Sequence, residues 1–271
     1  MSSTSRSAVL KSVVSVYEKL KSEFSKKPKN LELCGKYLSE IKVELTKLRF
    51  LPSTGKSVSK EELLVARNTL EIGALWSIAK KDIPSFERFM AMLRIYYMDY
   101  KEQLPTSPYQ YELLGLDLLC LLAQNKVGEF HTALEHLPPS IVSENVYIRH
   151  PVAMEQYLME GAYNKIYLAK GEVPAEGYKF FIEVLLSTIR EDIADCVENA
   201  YEKIKPEDIG KMLYLGNTSE ILNYCKQRGW EVGSDGYLQF IKEVRKHDES
   251  VPSQDLASQM INYAREMEQI V

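Results

Sequence analysis

Cysteine pairs, glycine, proline and long apolar runs are all scarce in this chain, and each scarcity narrows what it can be. The four cysteines, Cys34, Cys120, Cys196 and Cys225, include no CxxC spacing. They read as reduced, mostly buried small hydrophobes rather than as a zinc ribbon or a disulfide framework. With only 13 Gly and 11 Pro in 271 residues, against plentiful Leu, Ala, Glu and Lys, helix is favoured over sheet. The most apolar stretch, 113–123, contains Asp117 and falls far short of the roughly 20 residues of a membrane span. The amino-terminal segment lacks the continuous apolar core of a signal peptide, so a soluble protein of cytoplasm and nucleus is expected.

Charge of one sign is also missing. Lys and Arg number 34 and Asp and Glu 38, for a formal charge of -4, which gives no global reason to bind nucleic acid or an acidic membrane. There is no GxxxxGKS or GxxxxGKT phosphate loop, no GxSxG elbow and no strand-flanked GxGxxG, so the common nucleotide and acyl-transfer chemistries are excluded. His131 and His136 lie five residues apart instead of the four of an HExxH zinc helix, and His150 and His247 fall in apparent loops. No catalytic residue, metal site or cofactor is expected. Asp117 is expected to cap, to pair with a Lys or Arg, or to reach solvent, because an unpaired buried carboxylate is costly.

What the chain does have is helical periodicity. Val9, Leu10, Val13, Val14, Tyr17, Leu20 and Phe24 share one helical face, and Leu33, Tyr37, Ile41, Leu45 and Leu48 a second. Ser59 with Glu62 predicts a capping box. Three helix pairs are then expected, about 60–78 with 84–97, 108–123 with 128–137, and 151–168 with 174–189. Trp76 reads as core, and Tyr96 and Tyr97 serve equally well as packing or interface residues. The joints at 81–84, 125–128 and 171–174 resemble one another, each with a polar turn, a β-branched residue, then Pro or Gly. That spacing suits stacked helical hairpins, a right-handed solenoid. Its middle is the 111–123 helix, apolar on nearly every side.

From about residue 187 the pattern changes. Ile189, Ile193, Val197, Ala200 and Ile204 mark a helix. Pro206 opens a short one with Ile209, Met212 and Leu213 inward, and Asn217 with Glu220 caps a third, closed by Gly229, with Ile221, Leu222 and Cys225 inward. Alternation over 230–232 and 237–241 then reads as a hairpin, so these elements make a winged helix, with Trp230 anchoring the wing. Lys226 and Arg228 are offset by Glu220, Glu231 and Asp235, a poor match to a phosphate-binding stripe, and the cluster Lys242, Arg245, Lys246 and His247 reads as a solvated linker. After it, Leu256, Met260, Tyr263, Met267 and Ile270 recur at steps of four and three, a two-heptad seam that must dock against its own repeats or another chain. The expected organisation is N-terminal helices over 1–57, a TPR-like repeat body over 58–186, a winged-helix module over 187–244 and a C-terminal bundle helix over 253–271.

The runs REDIADCVENAYEKIKPEDIGKML, TSEILNYCKQRGW and GYLQFIKEV resemble those of PCI-domain proteins. KKDIPSFERFM, HPVAMEQYLMEGAYNKIYLAKG and the closing YAREMEQIV narrow the resemblance to the PCI subunits of the 26S proteasome regulatory-particle lid, the non-ATPase subunit 8 family. The resemblance spans nearly the whole chain. It implies a non-catalytic structural subunit that supports ubiquitin-dependent degradation, a hetero-oligomer in which winged helices and C-terminal helices pack against other lid subunits, with no membrane and no nucleic acid. On that basis Leu256, Met260, Tyr263, Met267 and Ile270 are the expected protein interface. The alternatives are a subunit of another PCI assembly, such as the COP9 signalosome or a translation initiation complex, or a nucleic-acid adaptor of the messenger RNA export type.

Overall fold

A computed structural model describes residues 3–26, 30–47, 59–171, 173–233, 236–240 and 252–269. The chain divides into two units, Met1–Asp192 and Ile193–Val271. In the first, α1 (Ser3–Ser25) packs on α2 (Leu31–Lys47), and both lie on α3 (Lys60–Lys80). The buried face of α2 is Cys34, Leu38, Ile41 and Leu45, so Ile41 and Leu45 lie where the periodicity puts them, while Cys34 and Leu38 are buried in place of Leu33 and Tyr37, and Leu33 is exposed. Trp76 packs against the start of this helix. Its indole N–H donates to the Leu31 carbonyl at 2.8 Å, and Gly35 presses so close that a Cβ there would sit 3.0 Å from the ring. The expected Leu48 lies outside the described residues.

Helix α3 is buried on most sides although it carries Glu62, Arg67, Thr69, Glu71 and Ser77. Its hydroxyls are satisfied within the helix and Glu71 from other elements. The Thr69 and Ser77 hydroxyls donate back to the Val65 and Gly73 carbonyls, and Glu71 accepts from Tyr97 and Ser107, each at 2.9 Å. The capping box expected at its start does not form. Ser59 occupies the N-cap without a side-chain hydrogen bond, and Glu62 is buried.

Helix α4 (Ile83–Met98) follows, then α5 (Gln110–Ala123), whose residues from Leu113 to Ala123 are all buried. It is surrounded by α3, α4, α6 (Val127–Glu135) and α8 (Val146–Met159), as an all-round apolar helix must be. The short α7 (Pro139–Glu144) was not anticipated.

The joints α3–α4 and α5–α6 are the same device. Lys81 and Asn125 adopt left-handed φ values of 62° and 59°, and the next amide reaches back, Asp82 to the Ser77 carbonyl and Lys126 to that of Leu121. The third copy is not at 171–174. It lies ten residues earlier, where Gly161 has φ 68° and the Ala162 amide bonds the Tyr157 carbonyl. That turn splits the single helix expected over 151–168 into α8 and α9 (Tyr163–Ala169). Helix α8 also begins before Pro151 and takes it into its second turn, so His150 is helical and not in a loop.

Pro151 has no amide to give the Tyr147 carbonyl one turn back. The Tyr178 hydroxyl donates to that carbonyl instead, at 3.0 Å. Gly115 makes room, since a Cβ there would collide with both the Tyr178 hydroxyl and the Tyr147 carbonyl. Three residue types that look like helix breakers or strays in the sequence thus form one joint between α5, α8 and α10 (Glu176–Ala200).

Helix α10 is continuous where two helices were expected. It supplies Ala194 to the core of the second unit, with Ile204, Ile209, Leu213, Cys225, Trp230 and Leu238. Ile204 does not extend that helix. It lies in β1 (Lys203–Ile204), because Lys205 precedes Pro206 and is held extended. Next come α11 (Pro206–Met212), α12 (Thr218–Arg228), β2 (Glu231–Val232) and β3 (Leu238–Gln239), an antiparallel sheet in the order β1-β3-β2. This order of helix, strand, two helices and two strands is a minimal winged-helix-like element. Gly229 closes α12 at φ 75° as expected, whereas Met212 and Leu222, expected inside, are exposed. Helix α13 (Ser253–Glu268) completes the chain's described elements.

Candidate functional site

Helix α13 is exposed at every described position. Leu256, Met260, Tyr263 and Met267 are 49, 69, 64 and 52% exposed, and Ile270 lies outside the described residues. The heptad reading missed Ile261, 67% exposed. At 100° per residue, Ile261 with Ala257 and Ala264 widens the apolar arc to roughly 160°. Arg265, Asn262, Asp255 and Glu266 fall on the opposite side. An arc that wide exceeds the narrow seam of a two-stranded coil and needs more than one apolar neighbour to cover it.

The winged-helix-like element is built around Trp230. Its ring meets Tyr224 and Phe240 edge-on at 5.8 and 5.2 Å, and its indole N–H donates to Glu198 at 2.7 Å. The Arg228 guanidinium is held by Asp195 at 2.8 Å and by Glu198 at 3.8 Å. A guanidinium already satisfied by two carboxylates is a poor phosphate ligand, which leaves α12 with Lys226 as the cation to meet a nucleic acid backbone. The cluster Lys242, Arg245, Lys246 and His247 lies outside the described residues. Tyr201, Leu222 and Tyr237 are apolar side chains left at this element's surface.

Asp117, Cys120 and His131 sit in structural settings. Arg94 holds Asp117 through two contacts, 2.6 and 3.1 Å, so Asp117 pairs with an arginine across two helices, although burial still pushes its carboxyl above the ordinary range. Cys120 is pushed up to about 12, by burial first and then by Asp117 and Glu87, the opposite of an activated thiolate. Cys196 is exposed and the other three cysteines are buried. His131 lies 3.4 Å from Glu155. Tyr96 and Tyr97 are core residues. Among the described residues no cluster of His, Cys, Asp or Glu could hold a metal ion, and no helix is long and apolar enough to cross a membrane.

Comparison with known proteins agrees with this picture. Residues 108–250 match the CSN8/PSMD8/EIF3K family. The chain is similar to the 26S proteasome non-ATPase regulatory subunit 8 homolog A of Arabidopsis thaliana, 38% identical over 260 residues covering 94% of this chain and 96% of that one. It is 31% identical over 255 residues to the 26S proteasome non-ATPase regulatory subunit 8 of Caenorhabditis elegans, covering 94% and 98%. To the 26S proteasome regulatory subunit rpn12 of Schizosaccharomyces pombe it is 33% identical over 263 residues, covering 90% and 94%.

Proposed function

The chain belongs to the CSN8/PSMD8/EIF3K family, as a non-catalytic PCI subunit that works through protein–protein assembly, and from that premise we propose that it is a structural subunit of the 26S proteasome regulatory-particle lid. In this reading the repeat body is a right-handed solenoid, the winged-helix module packs beside those of neighbouring lid subunits, and α13 enters a shared helical bundle. The subunit thereby supports ubiquitin-dependent degradation, in cytoplasm and nucleus. The observation that carries the reading is α13 itself, an apolar arc exposed along its described length. A 16-residue helix is marginal alone in water, so it acquires its stability from neighbours. Within a family whose description also covers signalosome and initiation-factor subunits, near-full-length likeness to three proteasome subunits favours the lid.

Affinity capture of the tagged chain from its own cells, followed by native mass spectrometry, tests this. Lid subunits are expected in stoichiometric yield. Recovery as a free monomer, or with signalosome or initiation-factor subunits, overturns the assignment.

A further inference from the structure

A second surface lies in the first unit, on helices other than those the proposed assembly uses. Between α2 and α4, floored by α3, a groove of about 320 Å³ is lined by Leu38, Leu45, Leu70 and Phe89 and rimmed by Lys42 and Arg88. The four apolar residues are each only 2–3% exposed, and Thr46, Thr69, Ser85 and Met92 complete the lining. The rim is positive on both sides. The Lys42 ammonium stands 4.2 Å above the centre of the Phe89 ring, which keeps it over the groove mouth. The Arg88 guanidinium donates to the Pro84 carbonyl and the Ser85 hydroxyl, both neutral, at 3.1 and 3.2 Å. Among the described residues neither cation is ion-paired with a carboxylate, and Asp82 influences Arg88 only at longer range. Burial and then the neighbouring Arg88 charge press the Lys42 ammonium below its usual pKa.

We propose that this groove docks an acidic peptide segment of a partner protein, one apolar side chain entering the groove beside Met92 with flanking Asp or Glu side chains between Lys42 and Arg88. Two like charges set over a desolvated apolar floor repel each other, and an anion placed between them turns that repulsion into attraction. Leucine or phenylalanine supplies the matching apolar area. The chain's own segment 48–58, which follows α2 and lies outside the described residues, is a worse occupant. It contains Arg49 and Lys56 and no carboxylate, so it would add positive charge where negative charge is wanted. The surface is independent of α13 and of the proteasomal assignment.

The test uses the full chain and a fluorescein-labelled peptide, Glu-Glu-Leu-Phe-Glu-Glu, read by fluorescence anisotropy at low and high salt. Expected are saturable binding that weakens with salt, a loss of about tenfold or more in the double variant K42E/R88E, and a similar loss when Gln replaces Glu or Ser replaces Leu-Phe in the peptide. Both charged heads are at the rim, so the variant should stay folded, with a melting temperature lowered only slightly by loss of the Lys42–Phe89 contact. As a check independent of folding, K42E/R88E should gain affinity for Lys-Lys-Leu-Phe-Lys-Lys. Equal binding of the acidic peptide by parent and variant overturns the proposal, as does no binding by the parent. So does binding that appears only after residues 48–58 are replaced by a Gly-Ser linker, which would make that segment the occupant. Dimerisation of the parent abolished by K42E/R88E would assign the groove to a second copy, and equally Lys42-dependent binding to phosphatidylserine vesicles would assign it to a lipid surface; either result overturns the peptide reading.

Discussion

Tyr178 holds its place through a proline that donates nothing. The carbonyl of Tyr147 has lost its helical partner to Pro151, and the Tyr178 hydroxyl replaces it. In Tyr178→Phe the carbonyl stays buried without a donor, and the expected cost is about 1–3 kcal/mol in urea unfolding. Gly115→Ala should cost at least as much, because its new methyl group must displace that hydroxyl or the Tyr147 backbone. The two changes should be less than additive, since each breaks the same joint. Asp82, the N-cap of α4, accepts from the Ser85 amide at 3.1 Å and the Ser85 hydroxyl at 2.8 Å. Those bonds hold its carboxyl below the usual range. A depressed carboxylate stabilises fully above its unfolded pKa of about 3.9 and loses that contribution as pH falls through its lower folded value. Asp82→Ala should therefore cost about 1 kcal/mol near neutrality and progressively less in acid. Asp82→Asn should keep most of the cap and remove only this residue's share of the pH dependence, as the difference from the parent in thermal melts across pH 2–7 would record.

At the scale of elements, α13 makes the clearest demand. Burying a Met, Leu or Ile is worth about 1.5–3 kcal/mol, and placing a carboxylate in an apolar bundle adds a desolvation cost. Met260→Asp with Met267→Asp should weaken incorporation into the assembly by about 100-fold or more in a competition pull-down. The first unit's melting should be unmoved, because neither residue is buried in the free chain. Helices with a one-sided apolar stripe, such as α1, and the all-apolar α5 were legible in the sequence. The burial of Cys34 and Leu38 in place of Leu33 and Tyr37 was not, since that end of α2 is packed by Trp76, 45 residues from the carbonyl it bonds. Helix α3 hid its burial behind charged residues that find partners only in the folded chain. Strand β1, two residues long, is too short to show an alternation. The continuity of α10 could have been seen, since no Gly or Pro falls between Tyr178 and Ile204. The rim cations Lys42 and Arg88 left no sequence signal, because their meaning lies in sharing a groove built from three helices.

For the molecule as a whole, the division of labour follows from where polar groups find partners. The repeat body and the winged-helix-like element each complete a core of their own, while α13 leaves its oily side in water. A copy made in excess of its neighbours therefore carries a visible mark of being surplus. Exposed apolar helices are what holding chaperones grip and what drives self-association, so a copy without companions is expected to be held or to self-associate. Assembly in this sense is also a form of concealment.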